Sequence, residues 1–150
     1  MSFKDHFSAQ APDYARHRPN YPGDLFAWLA AQAPARDAAW DCGTGSGQAA
    51  LGLVPLFARV IATDSSASQI AHAAPHPRID YRLAPAEASG IESGTLDLVT
   101  VAQALHWFDP ERFFAEARRV LKPGGAIAAW TYTLLDIEPQ IDALVSDYYH

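Results

Sequence analysis

Five short apolar runs alternate with segments of helical periodicity along this chain. The runs are "AAWDC" at 38–42, "ARVIATD" at 58–64, "IDYRLA" at 79–84, "LDLVTVAQ" at 96–103 and "AIAAWTY" at 126–132. Each has the length of a strand, and the fourth is almost continuously apolar, as a strand buried on both faces should be. Between them the spacing predicts helices. Asp24 is expected to cap one that carries Leu25, Trp28 and Leu29 on one face and ends by Pro34. Another should run from about Gln48 to Val54, and a short one over 66–73. Asp109 as cap and Pro110 in first position predict a helix with an apolar stripe of Phe113, Phe114, Ala117, Val120 and Leu121, stopped by Gly124. Ile137, Ile141, Leu144, Val145 and Tyr148 repeat at the spacing of a last amphipathic helix.

Strands alternating with helices predict an α/β fold, a doubly wound, mostly parallel sheet with helices on both faces. Ligands in such sheets bind beyond the carboxyl ends of the strands. The first 23 residues are polar and aromatic with three prolines and read as an irregular arm, leaving 24–150 as the α/β domain.

The first strand runs into "WDCGTGSGQAA", with Gly43, Gly45 and Gly47 at alternate positions and Asp41 just before them. A backbone without side chains here turns tightly and lets a ligand come close. A triphosphate loop needs a lysine that is absent. A dinucleotide fingerprint fails from Gly43, where the sixth position is Gln48, and is met from Gly45 only through Ala50, so a nicotinamide enzyme stays open. Asp64, ending the second strand, suits the hydroxyls of a ribose in either case. Its side chain is expected to point at ligand and to matter little for the fold.

Composition narrows the partners. Hydrophobic residues make up 49% and charged residues 19%, with a net charge of -6 and a pI near 5.3. That balance argues against nucleic acid or an anionic membrane as partner. No signal peptide or spanning run is visible, so a cytoplasmic location is expected. The single cysteine, Cys42, rules out a disulfide framework and a Cys-rich zinc site, fits a reducing compartment, and reads as a small packed residue. No metal site is expected.

The ordered set D-x-G-x-G-x-G, an acid ending the second strand, "PAEA" after the third and "RVLKPGG" before the fifth resembles the class I S-adenosylmethionine-dependent methyltransferases, from about 38 to 130. "YARHRPNYP" (14–22) and "AQALHWFD" (102–109) are similar to the branch containing trans-aconitate methyltransferase. The resemblance implies a Rossmann-like strand order 3-2-1-4-5, and S-adenosyl-L-methionine as cofactor, with S-adenosyl-L-homocysteine as product. It places Asp41, Gly43, Thr44 and Gly45 around the methionine part, Asp64 on the ribose, and Ser65, Gln69, Ala86 and Glu87 around the adenine. Gln103 and Ala104 face the sulfur, and Tyr14 and Arg18 come from the arm folded over the site. Pro85 stands where many relatives carry a polar or acidic residue.

His106 and Trp107 follow the fourth strand and are the candidates for the acceptor pocket, His106 also for a general base. A small-molecule acceptor, such as a carboxylic acid, is expected. The complete family fold has seven strands, so the chain is expected to be truncated before strands 6 and 7. That would leave the fifth strand as an edge open to self-association. A cofactor-binding module without catalysis is then a third reading.

Overall fold

The computed structural model describes residues 20–132. The arm's Tyr14 and Arg18, and the expected helix over 137–148, lie outside the described residues. Five strands, β1 (Ala38–Cys42), β2 (Arg59–Asp64), β3 (Ile79–Leu83), β4 (Leu96–Ala102) and β5 (Leu121–Trp130), form one sheet. Their order is β3-β2-β1-β4-β5 and every neighbouring pair is parallel. Helices α1 (Gly23–Ala31), α2 (Gln48–Leu53), α3 (Ala67–His72) and α4 (Pro110–Val120) connect or flank them, with a 3₁₀ turn at Leu105–Trp107. Among the described residues β5 is an edge strand, and no helix is long and apolar enough to cross a membrane.

Successive strand residues point to opposite faces, which explains the unbroken apolar runs. Val60 and Ala62 of β2 and Leu98 of β4 join Phe26, Leu29, Leu53 and Phe57 in one core. Ile61, Val99 and Val101 join Trp40, Phe113, Ala117 and Val120 in the other. Phe113 is fully buried as expected, while Phe114 and Trp130 pack only partly against the two cores.

Two boundaries differ from expectation. Asp24 does not cap α1: the cap position is Pro22, with no side-chain cap bond, and Asp24 lies in the first turn, where its charge favours the helix dipole. The helix therefore turns Phe26, Leu29 and Ala30 inward and leaves Trp28 62% exposed. Phe26 lies flat over Gly52 of α2, where a Cβ would have no room.

At α4, Asp109 accepts from the Arg112 N–H and Pro110 stands first, as expected. The helix ends at Val120, not at Gly124, and Leu121 belongs to β5, paired with Leu96. The cause is tertiary. The N–H groups of Gly94 and Thr95 donate to the carbonyls of Arg119 and Val120 at 3.0 and 2.9 Å, closing the helix end. The register then shifts between Leu96 and Leu98, and the ladder resumes at Ala126.

The lower end of the sheet is tied by Asp97, fully buried, whose Oδ2 accepts from the Asp37 and Ala38 N–H groups at 2.9 and 3.0 Å. Lys122 reaches its Oδ1 at 2.9 Å. Burial pushes this carboxyl upward, but the Ala38 N–H, Lys122 and the Asp37 N–H together hold it below the usual range.

A second carboxylate clamps the loop before β4 to α4. Glu116 accepts from the Ser89 N–H and hydroxyl at 2.8 and 2.6 Å and from Arg119 at 2.7 and 2.8 Å. The Arg119 hydrogen bonds, helped by Ser89 and opposed by burial, lower it from 4.5 to about 2. A depressed carboxyl stabilises the fold above its unfolded value and loses that contribution as pH falls toward the folded one. Because Arg119 is 39% exposed, the screened contribution is on the order of 1–2 kcal/mol. Glu116→Gln should cost that amount at pH 7 in urea unfolding, and the gap from the parent should close between pH 4.5 and about 2. A gap that stays constant over that range contradicts the clamp.

Candidate cofactor and active site

The loop after β1 is built from the residues that can form it. Gly43, Gly45 and Gly47 have φ of 68°, 58° and 92°, the left-handed region that side chains disfavour. At Gly43 an added Cβ would lie 2.6 Å from the Ala104 Cβ and 3.0 Å from the Phe108 ring. At Gly47 it would strike the Tyr81 hydroxyl. The loop is therefore pressed between the end of β4 and the side chain of β3.

Three bonds from the loop, and a fourth beneath it, fix it to the sheet. The Thr44 N–H donates to the Thr63 carbonyl at 2.9 Å, continuing the β1–β2 alignment past Cys42↔Thr63. The Thr44 hydroxyl donates to Asp41 Oδ2 at 2.6 Å, and Thr100 donates to Asp41 Oδ1 at 2.8 Å. The Gly45 N–H donates to Asp64 Oδ2 at 2.9 Å. Asp41 is fully buried and Asp64 partly so. Burial, and next the Asp41 charge, push the Cys42 thiol well up, which fits a packed residue and not a nucleophile. The same two causes raise Tyr81.

Asp64 does more than the sequence suggested. Its Oδ1 also accepts from the Ser66 N–H at 2.9 Å, so the carboxylate braces both the glycine loop and the turn into α3. These two bonds give the side chain a part in the fold besides any ligand it meets. Ser66 caps α3 by accepting from the Gln69 N–H. Gln69 is buried, Ser65 exposed. Ala86 is buried, and Glu87 accepts from the Asp109 N–H at 2.8 Å, joining the segment after β3 to the start of α4.

At the ends of β4 and β5 lies a cavity of about 520 Å³. Gln103, Ala104, Leu105 and His106 line it from the segment after β4, and Ala129, Trp130 and Thr131 from the end of β5. Ala104 links it to the loop through its contact at Gly43. Gln103 has φ of 61°, the one left-handed non-glycine among the described residues, a strain that clusters at functional sites. His106 lines the cavity and its ring centroid is 4.8 Å from that of Trp107. Trp107, 52% exposed, is not among the described lining residues. Among the described residues no cluster of three metal-ligating side chains occurs.

Sequence reasoning missed several contributors. Thr100, the partner of Asp41, was visible as a hydroxyl inside a fully buried strand. Leu83, in register with Asp64 and 61% exposed, is an apolar surface beside the expected ribose position. The contacts of Phe108, Tyr81 and Trp130 depend on the tertiary arrangement and left no local signal.

Known proteins resemble the chain as follows. A model of the methyltransferase domain family matches residues 40–129. A Dictyostelium discoideum protein named as a methyltransferase is 38% identical over 144 residues, covering 95% of this chain and 55% of its own length. A Saccharomyces cerevisiae protein named as an S-adenosylmethionine-dependent methyltransferase is 30% identical over 132 residues, covering 82% and 45%. A solved structure from Anaeromyxobacter dehalogenans, described as a type II methyltransferase, has a TM-score of 0.79 and 52% identity, covering 89% of this chain and 57% of that one. The chain spans about half the length of the curated relatives it matches.

Two glycines separate backbone strain from packing. Gly90 has φ of 70° with nothing near its Cβ position, whereas Gly43 has the same strain plus the Ala104 and Phe108 contacts. Gly90→Ala should cost about 1 kcal/mol and Gly43→Ala about 2–4 kcal/mol in denaturant unfolding. Equal costs would mean that the loop is not pressed against β4.

Proposed function

This chain belongs to the class I S-adenosylmethionine-dependent methyltransferase family, and from that premise we propose that it binds S-adenosyl-L-methionine on the Gly43–Gly47 loop and methylates a small molecule. The observation that carries this reading is the carboxylate of Asp64, placed beside the loop with lone pairs to spare. Each of its oxygens receives one backbone N–H, and a carboxylate oxygen can accept further bonds. Two ribose hydroxyls can thus be met without releasing the loop. Membership in this family sets aside the nicotinamide reading.

The residues fit the cofactor in charge as well as shape. The left-handed loop leaves no Cβ at three positions, so backbone can lie against the methionine part. Asp41 and Asp64 give that pole a negative field, which suits an ammonium and a sulfonium and would repel a pyrophosphate. Gly43, Thr44 and Gly45 form the wall. Ser65, Gln69, Ala86 and Glu87 are proposed for the adenine, with Leu83 as an added apolar surface. Tyr14 and Arg18, in an arm spanning 1–23, are proposed to close over the site.

The cofactor, when bound, supplies a methyl group activated by a sulfonium, so the hard chemistry is its own. The protein holds the acceptor in line and excludes water. Gln103 and Ala104 separate the loop from the cavity, which we take as the acceptor side. His106 reaches that cavity and is proposed to take a proton from a hydroxyl or amine acceptor. A carboxylate acceptor, favoured by the likeness to the trans-aconitate branch, needs no such base. The single buried cysteine supports a reducing, cytoplasmic setting.

Calorimetry with S-adenosyl-L-homocysteine tests the reading. The parent chain should bind it. Asp64→Ala should weaken binding by about 1.5–3 kcal/mol, as for lost bonds to a charged group, and should also lower unfolding stability by about 1–3 kcal/mol through the freed N–H groups. An unchanged dissociation constant in the variant removes the ribose role.

A further inference from the structure

Among the described residues the sheet ends at β3 on the side away from β5, and no strand lies beyond it. Two bonds fix which way each β3 residue turns its backbone. The Val60 N–H donates to the Arg78 carbonyl at 2.8 Å, and the Ala84 N–H donates to the Asp64 carbonyl at 3.0 Å. Alternate residues of a strand address opposite neighbours. Residues 78, 80, 82 and 84 therefore face β2, and Ile79, Tyr81 and Leu83 turn their N–H and C=O groups to the open side. The Ile79 N–H is taken by the His76 carbonyl at 3.0 Å. Those of Tyr81 and Leu83 meet no strand among the described residues. The side chains of Asp80 and Arg82 share one face of the sheet and form an ion pair at 2.6 Å, partly exposed on both sides. Leu83 is exposed.

From this we infer that β3 pairs with a second copy of this chain, antiparallel about a two-fold axis at Tyr81, so that one sheet runs through both copies. The strand Ile79–Leu83, "IDYRL", carries opposite charges at equal distances on either side of Tyr81. Turned end for end, it sets Asp80 opposite Arg82 of the second copy, and Ile79 opposite Leu83. Among symmetric registers this one alone pairs every residue of the strand. Tyr81 meets its counterpart through outward N–H and C=O groups, which makes that a hydrogen-bonded pair. Asp80 and Arg82 then fall in the non-hydrogen-bonded pairs, where side chains come closest. Opposite charges there support pairing and like charges oppose it. The ion pair within the strand is no obstacle, since an exposed pair contributes little. Charges on an edge usually turn a stray strand away. Here their alternation in sign admits the strand's own copy, and the contact is self-complementary and closes at a dimer. The other edge lacks this pattern: β5 contains Pro123, Gly124 and Gly125, and its one charge, Lys122, is committed to Asp37 and Asp97. The inference does not depend on what the cofactor site binds.

Sedimentation of the whole chain over a range of concentrations reads the pairing. The parent should pass from monomer to dimer as concentration rises. Asp80→Arg and Arg82→Asp should each raise the dimer dissociation constant at least about tenfold, because each turns two attractive cross-strand pairs into repulsive ones. Mixed in equal amounts, the two variants should dimerise again with an affinity near the parent's, since one chain presents two arginines to the two aspartates of the other. Neither variant keeps the ion pair within its own strand, and both chains stay net acidic. A recovery therefore comes neither from monomer stability nor from overall attraction. Hydrogen exchange locates the contact: the Tyr81 amide should exchange more slowly as concentration rises. A chain monomeric throughout, a dimer that either reversal leaves unchanged, a mixture that does not recover, or a Tyr81 amide indifferent to concentration overturns the inference.

Discussion

The carboxylate of Asp64 ties the glycine loop to the carboxyl end of this sheet. Asp64 receives the N–H of Gly45 from across the β1–β2 boundary and that of Ser66 from its own strand end, both at 2.9 Å. The glycine loop has no side chains of its own to anchor it at 43, 45 and 47, and glycine loses more freedom on ordering than any other residue. Something outside the loop must fix it. Asp64 does so from one side, and Asp41, through Thr44 and Thr100, does so from beneath. The parallel register Asp41↔Ala62 and Cys42↔Thr63 places Asp64 two residues further toward the loop than Asp41. The position of the glycine loop is thus set by the sheet and transmitted by hydrogen bonds.

This arrangement gives the two sides of the site opposite character. The loop side carries two carboxylates; burial first, and then the Asp41 charge, raise the pKa of the neighbouring Cys42 and Tyr81. The cavity side has no acidic side chain among its described lining residues. Ala104, packed where a Gly43 Cβ would stand, is the contact at which the two sides meet.

Much of this was legible in the sequence because it follows from periodicity and from backbone chemistry. The β1 run Ala38–Cys42 and the all-buried β4 could be read from apolar continuity, since parallel strands covered on both faces show no alternation. The left-handed glycines followed from their spacing, and Asp64 from its place at a strand end. The failures have physical causes of another kind. Leu121 keeps the helical spacing of α4, yet N–H groups from Gly94 and Thr95 end the helix first. Trp28 fits an apolar stripe, yet the face that packs on the sheet and α2 is that of Phe26, Leu29 and Ala30, which leaves Trp28 exposed. The hold of Asp64 on Gly45 left no signal in the sequence, because it depends on where the loop lies in space. Trp130 could be placed in a strand but not at the wall of a cavity, for its surroundings come from residues far away in the chain.

On the proposed function, Asp64 holds the loop and the cofactor ribose at the same time. The most direct measurement is a crystal structure of this chain with S-adenosyl-L-homocysteine. The account predicts a ribose whose hydroxyls lie within hydrogen-bond distance of the Asp64 carboxylate, while the Gly45 and Ser66 N–H groups keep their bonds to it. A nucleoside bound elsewhere, or an Asp64 that must release Gly45 to reach the ribose, would contradict it.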